Sequence, residues 1–112
     1  SVAQNAIKDI LNETQPVPVT IERIINEVAR TYNVSPEEIR GRKRNATVAA
    51  ARRAAMYVVR KILSMSMEDI GREFGGRDHS TVVYSLNEAE KAIETDPRMR
   101  EMVEDIIKNT RS

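Results

Sequence analysis

The sequence predicts an all-α fold, a compact helical domain that contains a helix-turn-helix. Three observations predict it. Apolar residues recur at helical spacing through one segment after another, the four glycines and four prolines fall mostly between those segments, and aromatic residues make up only 4% of the chain. Leu, Ile, Val, Ala and Met must therefore supply the core, and a sheet is disfavoured. At 112 residues the chain has room for one core and little more.

Residues 2–13 place Ala3, Ile7, Ile10 and Leu11 at helical spacing, and Pro16 and Pro18 forbid continuation, so residues 1–18 read as a separate first helix. Thr20 caps the next, in which Ile21, Ile24, Ile25, Val28, Ala29 and Tyr32 form one apolar face that ends near Asn33. Ser35-Pro36-Glu37-Glu38 combines a capping box with proline at the first helical position, and starts a short helix. Thr47 is expected to open a long helix to about Ser64, with Val48, Ala51, Ala55, Met56, Val59, Ile62 and Leu63 inward and Arg52, Arg53, Arg60 and Lys61 on exposed flanks. Ser66 with Asp69 begins a two-turn helix that buries Met67, Ile70 and Phe74, and Gly75-Gly76 ends it. Asp78 caps a helix to about Glu94 with Val82, Leu86, Ala89 and Ile93 inward. Asp96-Pro97 opens a final helix that turns Met99, Met102, Val103, Ile106 and Ile107 to the core. The methionines read as core filler.

Charge is unevenly distributed. Residues 40–67 hold eight basic side chains and no carboxylate, so the rest of the chain carries about −7 although the total is only +1. Such a block is the electrostatic footprint of a nucleic-acid binder. The absence of cysteine removes disulfides and thiolate metal sites, and one histidine disfavours zinc. No run approaches the length of a membrane span and no leader pattern opens the chain, so no membrane contact and a cytoplasmic location are expected.

Residues 66–94 supply the short helix, glycine turn and second helix of a helix-turn-helix. His79, Ser80 and Thr81 fall in the first turn of that second helix, where free backbone N–H groups and the positive end of the dipole favour a phosphate. Their imidazole and hydroxyls suit base edges, while capping is the main task of Asp78. Asp78-His79-Ser80 matches the residue types of a catalytic triad, but neighbours at a helix start point apart rather than converge. There is also no phosphate loop with its lysine, so no enzymatic activity and no cofactor are expected of the chain. The basic cluster at Arg42, Lys43 and Arg44 reads as a phosphate-tracking surface, with an arginine such as Arg44 placed to enter a narrow minor groove. Scattered aromatics favour duplex over single strands.

Residues from about 19 to 110 resemble the C-terminal DNA-binding domain of the bacterial chromosomal replication initiator DnaA. The likeness rests on Ile70-Gly71-Arg72-Glu73-Phe74-Gly75-Gly76-Arg77-Asp78-His79-Ser80-Thr81-Val82-Val83, with Arg42-Lys43-Arg44 at a basic loop and Ala54-Ala55-Met56-Tyr57 in the long helix. The resemblance implies a Trp-repressor-like helix-turn-helix over 19–112 that binds double-stranded origin elements of nine base pairs, the DnaA boxes. It also implies roles: Arg44 in the minor groove, Asp78, His79 and Thr81 at bases in the major groove, and Arg60 on a phosphate. Arg42, Lys43, Arg52, Arg77 and Ser80 take phosphate or supporting positions. By the same likeness residues 1–18 are a linker helix from a preceding AAA+ ATPase module, through which the full-length protein self-assembles on the origin in the nucleoid. Two departures stand out: Glu68 where many members carry proline, and Ala89 in place of a larger aliphatic residue. The motif alone also fits a helix-turn-helix transcriptional regulator. A helical protein-interaction module, docking through the acidic final third, is the reading from another class.

Overall fold

The computed structural model describes residues 19–111, so the helix expected over residues 2–13 lies outside the described residues. Among the described residues there are six helices: α1 (Ile21–Tyr32), α2 (Pro36–Arg40), α3 (Ala46–Leu63), α4 (Met67–Glu73), α5 (His79–Thr95) and α6 (Pro97–Arg111). Their boundaries follow from local chemistry. Thr20, Ser35, Ser66 and Asp78 each accept a backbone N–H of the following turn, and Ser35 with Glu38 completes a capping box. Asn33 and Ser64 close α1 and α3 in the left-handed region, at φ 57° and 54°.

One start differs from the sequence expectation. The long helix begins at Ala46, and Asn45 is its cap, with Oδ1 accepting the Thr47 N–H at 2.9 Å. Thr47 is the donor of that bond, because the chain is already helical from Ala46 and the side chain just before a helix is the one that accepts the orphan N–H groups of its first turn.

Helix α3 is the central element and packs against each of the other five. Ile24, Ile25 and Val28 of α1, Met56, Val58 and Val59 of α3, Ile70 of α4, Val82 of α5 and Ile106 of α6 are sealed from solvent in one core with Phe74. Each such side chain contributes about 1.5–3 kcal/mol on burial. Met65, Met67 and Met99 pack as half-buried residues against that core. Helix α6 is pinned to the start of α1 where Arg23 Nε donates to the Thr110 carbonyl at 2.8 Å, beside a fully buried Thr110 side chain. This packing leaves α4, the glycine turn and the first turn of α5 at one edge, next to the loop that joins α2 to α3.

Candidate nucleic-acid interface

The turn between α4 and α5 is set by three glycines. Gly75 and Gly76 lie at φ 85° and 71°, a region that costs other L-residues strain. Gly71, inside α4, works differently: its carbonyl accepts the Arg77 N–H at 2.9 Å, and a Cβ there would lie 2.1 Å from the Arg77 carbonyl oxygen. The backbone of the turn folds directly onto the helix, and only glycine leaves room. Sequence reasoning passed over Gly71, although an isolated glycine within a helical pattern is the signal for such an approach.

After the turn, Asp78 Oδ1 accepts the Thr81 N–H at 2.9 Å. That backbone hydrogen bond is the main reason its carboxyl titrates below the ordinary aspartate value. His79, Ser80 and Thr81 are exposed, and the first turn of α5 carries no acidic residue to repel an anion.

The tertiary fold brings the basic loop to this helix start. Arg42, Lys43 and Arg44 share one open cleft of about 550 Å³ with Gly76, Asp78 and Thr81. Within it the cations have different surroundings. Arg44 is exposed and makes no hydrogen bond or ion pair among the described residues. Lys43 pairs with Glu38 at 2.8 Å, and its ammonium is the largest of the influences that hold the Glu38 carboxyl down to about 2. Arg42 turns onto the glycine turn, donating to the Gly75 carbonyl at 2.9 and 3.1 Å and to the Gly76 carbonyl at 3.3 Å. Arg77 is half-buried and donates to the carbonyls of Gly41, at 3.1 Å, and Phe74.

Arg52 requires a correction. The expected place on an exposed flank does not hold: Arg52 is 6% exposed, and Nε, Nη1 and Nη2 donate to the carbonyls of Ile39, Lys43 and Glu38 at 2.9, 3.0 and 2.7 Å. Carbonyls at the end of α2 and in the following loop attract the guanidinium inward, at a cost of desolvation that lowers its pKa from the ordinary arginine value. The count of eight basic residues also overstates the free charge, because Arg40 pairs with Glu73 at 2.8 Å and Glu22 at 3.4 Å. Arg60 is exposed and donates to the Met65 carbonyl. It sits apart from the loop, lining a second cleft of about 280 Å³ with Lys61, Val83 and Asn87 on the other flank of α5. Glu68 lines a third recess beside Arg72, Asp78 and His79, so a carboxylate stands next to the exposed helix start.

Known proteins resemble this chain in both sequence and structure. The model described as bacterial DnaA protein helix-turn-helix matches residues 21–88. The chromosomal replication initiator protein DnaA of Xanthobacter autotrophicus is 37% identical over 103 residues, which cover 92% of this chain and 20% of that protein. The protein of the same name from Symbiobacterium thermophilum is 38% identical over 111 residues, 99% of this chain and 24% of its own. The chain thus spans a fifth to a quarter of the length of these relatives. A crystal structure of a DNA replication initiation factor superposes with a TM-score of 0.72 at 32% identity, over 80% of this chain and 27% of that one. AMPPCP-bound DnaA from Aquifex aeolicus gives 0.66 at 32% identity, over 80% and 26%.

Proposed function

This chain belongs to the bacterial DnaA helix-turn-helix family, and from that premise we propose that it reads double-stranded DnaA boxes as the recognition module of a replication initiator. One observation carries the reading: a free arginine, Arg44, shares a cleft with the cap-held first turn of an exposed helix. A helix start of that kind enters the major groove, and an arginine one loop away reaches the adjacent minor groove. His79, Ser80 and Thr81 meet base edges or phosphate. Asp78 holds the cap and presents its second oxygen to a base amine. Lys43 faces the phosphate backbone on one flank of α5 and Arg60 does so on the other, while Arg42 and Arg77, bonded to carbonyls of the loop and the turn, take supporting positions. Residues 1–18 join this domain to an ATPase module, and ATP hydrolysis and self-assembly on the origin belong to that longer protein, which works in the cytoplasm at the nucleoid. Among the described residues no helix is long and apolar enough to cross a membrane.

The test separates base reading from charge attraction. Thr81→Ala and His79→Ala should each flatten the preference for a box over a scrambled duplex, by roughly 1–3 kcal/mol for a lost base contact. Arg60→Ala should instead weaken both duplexes alike and lower the salt slope by about one unit. Arg44→Ala falls between the two. If the Thr81 and His79 variants keep full discrimination while Arg60→Ala abolishes it, another segment reads the bases.

A further inference from the structure

The loop that carries Arg44 has almost no backbone support of its own. Gly41 donates its N–H to the Glu38 carbonyl at 3.3 Å, and residues 42–44 make no backbone–backbone hydrogen bond among the described residues. Three guanidinium groups supply what the backbone lacks. Arg52, reaching out of α3, binds the carbonyls of Glu38, Ile39 and Lys43, on both sides of Gly41 and Arg42. Arg77, from the turn, reaches back to the Gly41 carbonyl, and Arg42 reaches forward to Gly75 and Gly76. Loop and turn are stitched to each other in both directions, and the loop is stitched to the central helix.

Three cations gathered around backbone oxygens oppose one another. Arg77 depresses the pKa of Arg52, and Arg42 depresses that of Arg77, in each case after burial itself. The arrangement persists because a planar guanidinium spans several carbonyls at once, which a point ammonium cannot do. Donors that could have met phosphates are committed to the protein.

We propose that Arg52, with Arg77 and Arg42, is a positioning clasp that fixes Arg44 relative to the first turn of α5, so that the loop and the recognition helix read DNA as one rigid unit. The inference rests on the DNA-reading function proposed above. Arg52 is a positioning residue here, and touches no nucleotide.

The test uses charge-conserving variants, Arg52→Lys and Arg42→Lys, alone and combined with Arg44→Ala. Each is titrated on a box duplex and on a scrambled duplex over a range of salt concentrations, with thermal melting as a check of folding. Preference for the box should fall about tenfold in each lysine variant, the size of one good readout contact. The salt slope on scrambled duplex should stay at the wild-type value, because no phosphate contact is lost. Adding Arg44→Ala should then cost far less than it does in the wild-type chain, since a displaced Arg44 has little left to lose. A lower slope with preference retained would make Arg52 a phosphate ligand and overturn the proposal, as would additive losses or an unchanged preference in both lysine variants. If Arg52→Lys does not fold, the Arg42→Lys cycle decides alone. Absence of any box preference in the wild-type chain would overturn the DNA-reading function itself, a result distinguishable from additive losses in a chain that does discriminate.

Discussion

Gly71→Ala sets two physical effects of opposite sign against each other. Alanine in a helix is favoured over glycine by about 1 kcal/mol, so propensity alone predicts a more stable protein. The structure predicts the reverse. The added Cβ would lie 2.1 Å from the Arg77 carbonyl oxygen, more than 1 Å inside the 3.4 Å at which ordinary contact begins, and the neighbour is backbone rather than a flexible side-chain end. Relieving that overlap is overpacking of a tight interior, at about 1–3 kcal/mol. It also breaks the 2.9 Å bond from the Arg77 N–H to the Gly71 carbonyl, which adds about 1 kcal/mol. Net of the propensity gain, destabilisation should be about 2 kcal/mol, or roughly 8–16 °C in melting temperature for a domain of this size. Box preference should fall as well, because the displaced segment is the one that presents Asp78. Gly76→Ala is the control: its Cβ would meet only Arg42 Nη2 at 3.9 Å, leaving the left-handed backbone cost of roughly 1–2 kcal/mol as its penalty. Thermal melting of both variants checks the reasoning. A Gly71→Ala midpoint equal to or above that of the wild-type chain would refute the close approach of turn and helix.

Two further outcomes are expected. Glu38 has its carboxyl lowered from 4.5 to about 2, chiefly by the hydrogen bond from Lys43. A lowered folded-state value means that its stabilisation is complete above the ordinary value and lost as pH falls toward about 2. The difference in urea midpoint between wild type and Glu38→Gln should therefore shrink across that window, and a constant difference would show that the Lys43 contact is unimportant in solution. Glu68 lines the recess next to His79, so Glu68→Gln should tighten binding to box and scrambled duplex alike, most at low salt where repulsion is least screened. Equal affinity at every salt concentration would place the DNA away from the start of α4.

Sequence by itself determined where the helices begin and which faces they bury. Thr20, Ser35, Ser66 and Asp78 act through bonds spanning three residues, and the apolar stripes of α1, α3 and α5 repeat every three or four, so both signals are complete within a local window. The helix-turn-helix was legible for the same reason, since Phe74, the paired glycines and the Asp78 cap are contiguous. Even locally one start differs, because the long helix expected from Thr47 begins at Ala46 behind the Asn45 cap. The fate of each cation was beyond such a window. Arg52 and Arg44 look alike in a basic stretch, yet one is buried against carbonyls that lie 9 to 14 residues away while the other stays free. Arg42 finds its acceptors across 33 and 34 residues, and Arg77 reaches the Gly41 carbonyl across 36. Gly71 is required by a backbone that returns over it, not by its own dihedral angles. Only the tertiary structure decided these, because whether a charge faces solvent or a carbonyl depends on which unpaired backbone oxygens the folded chain brings within reach.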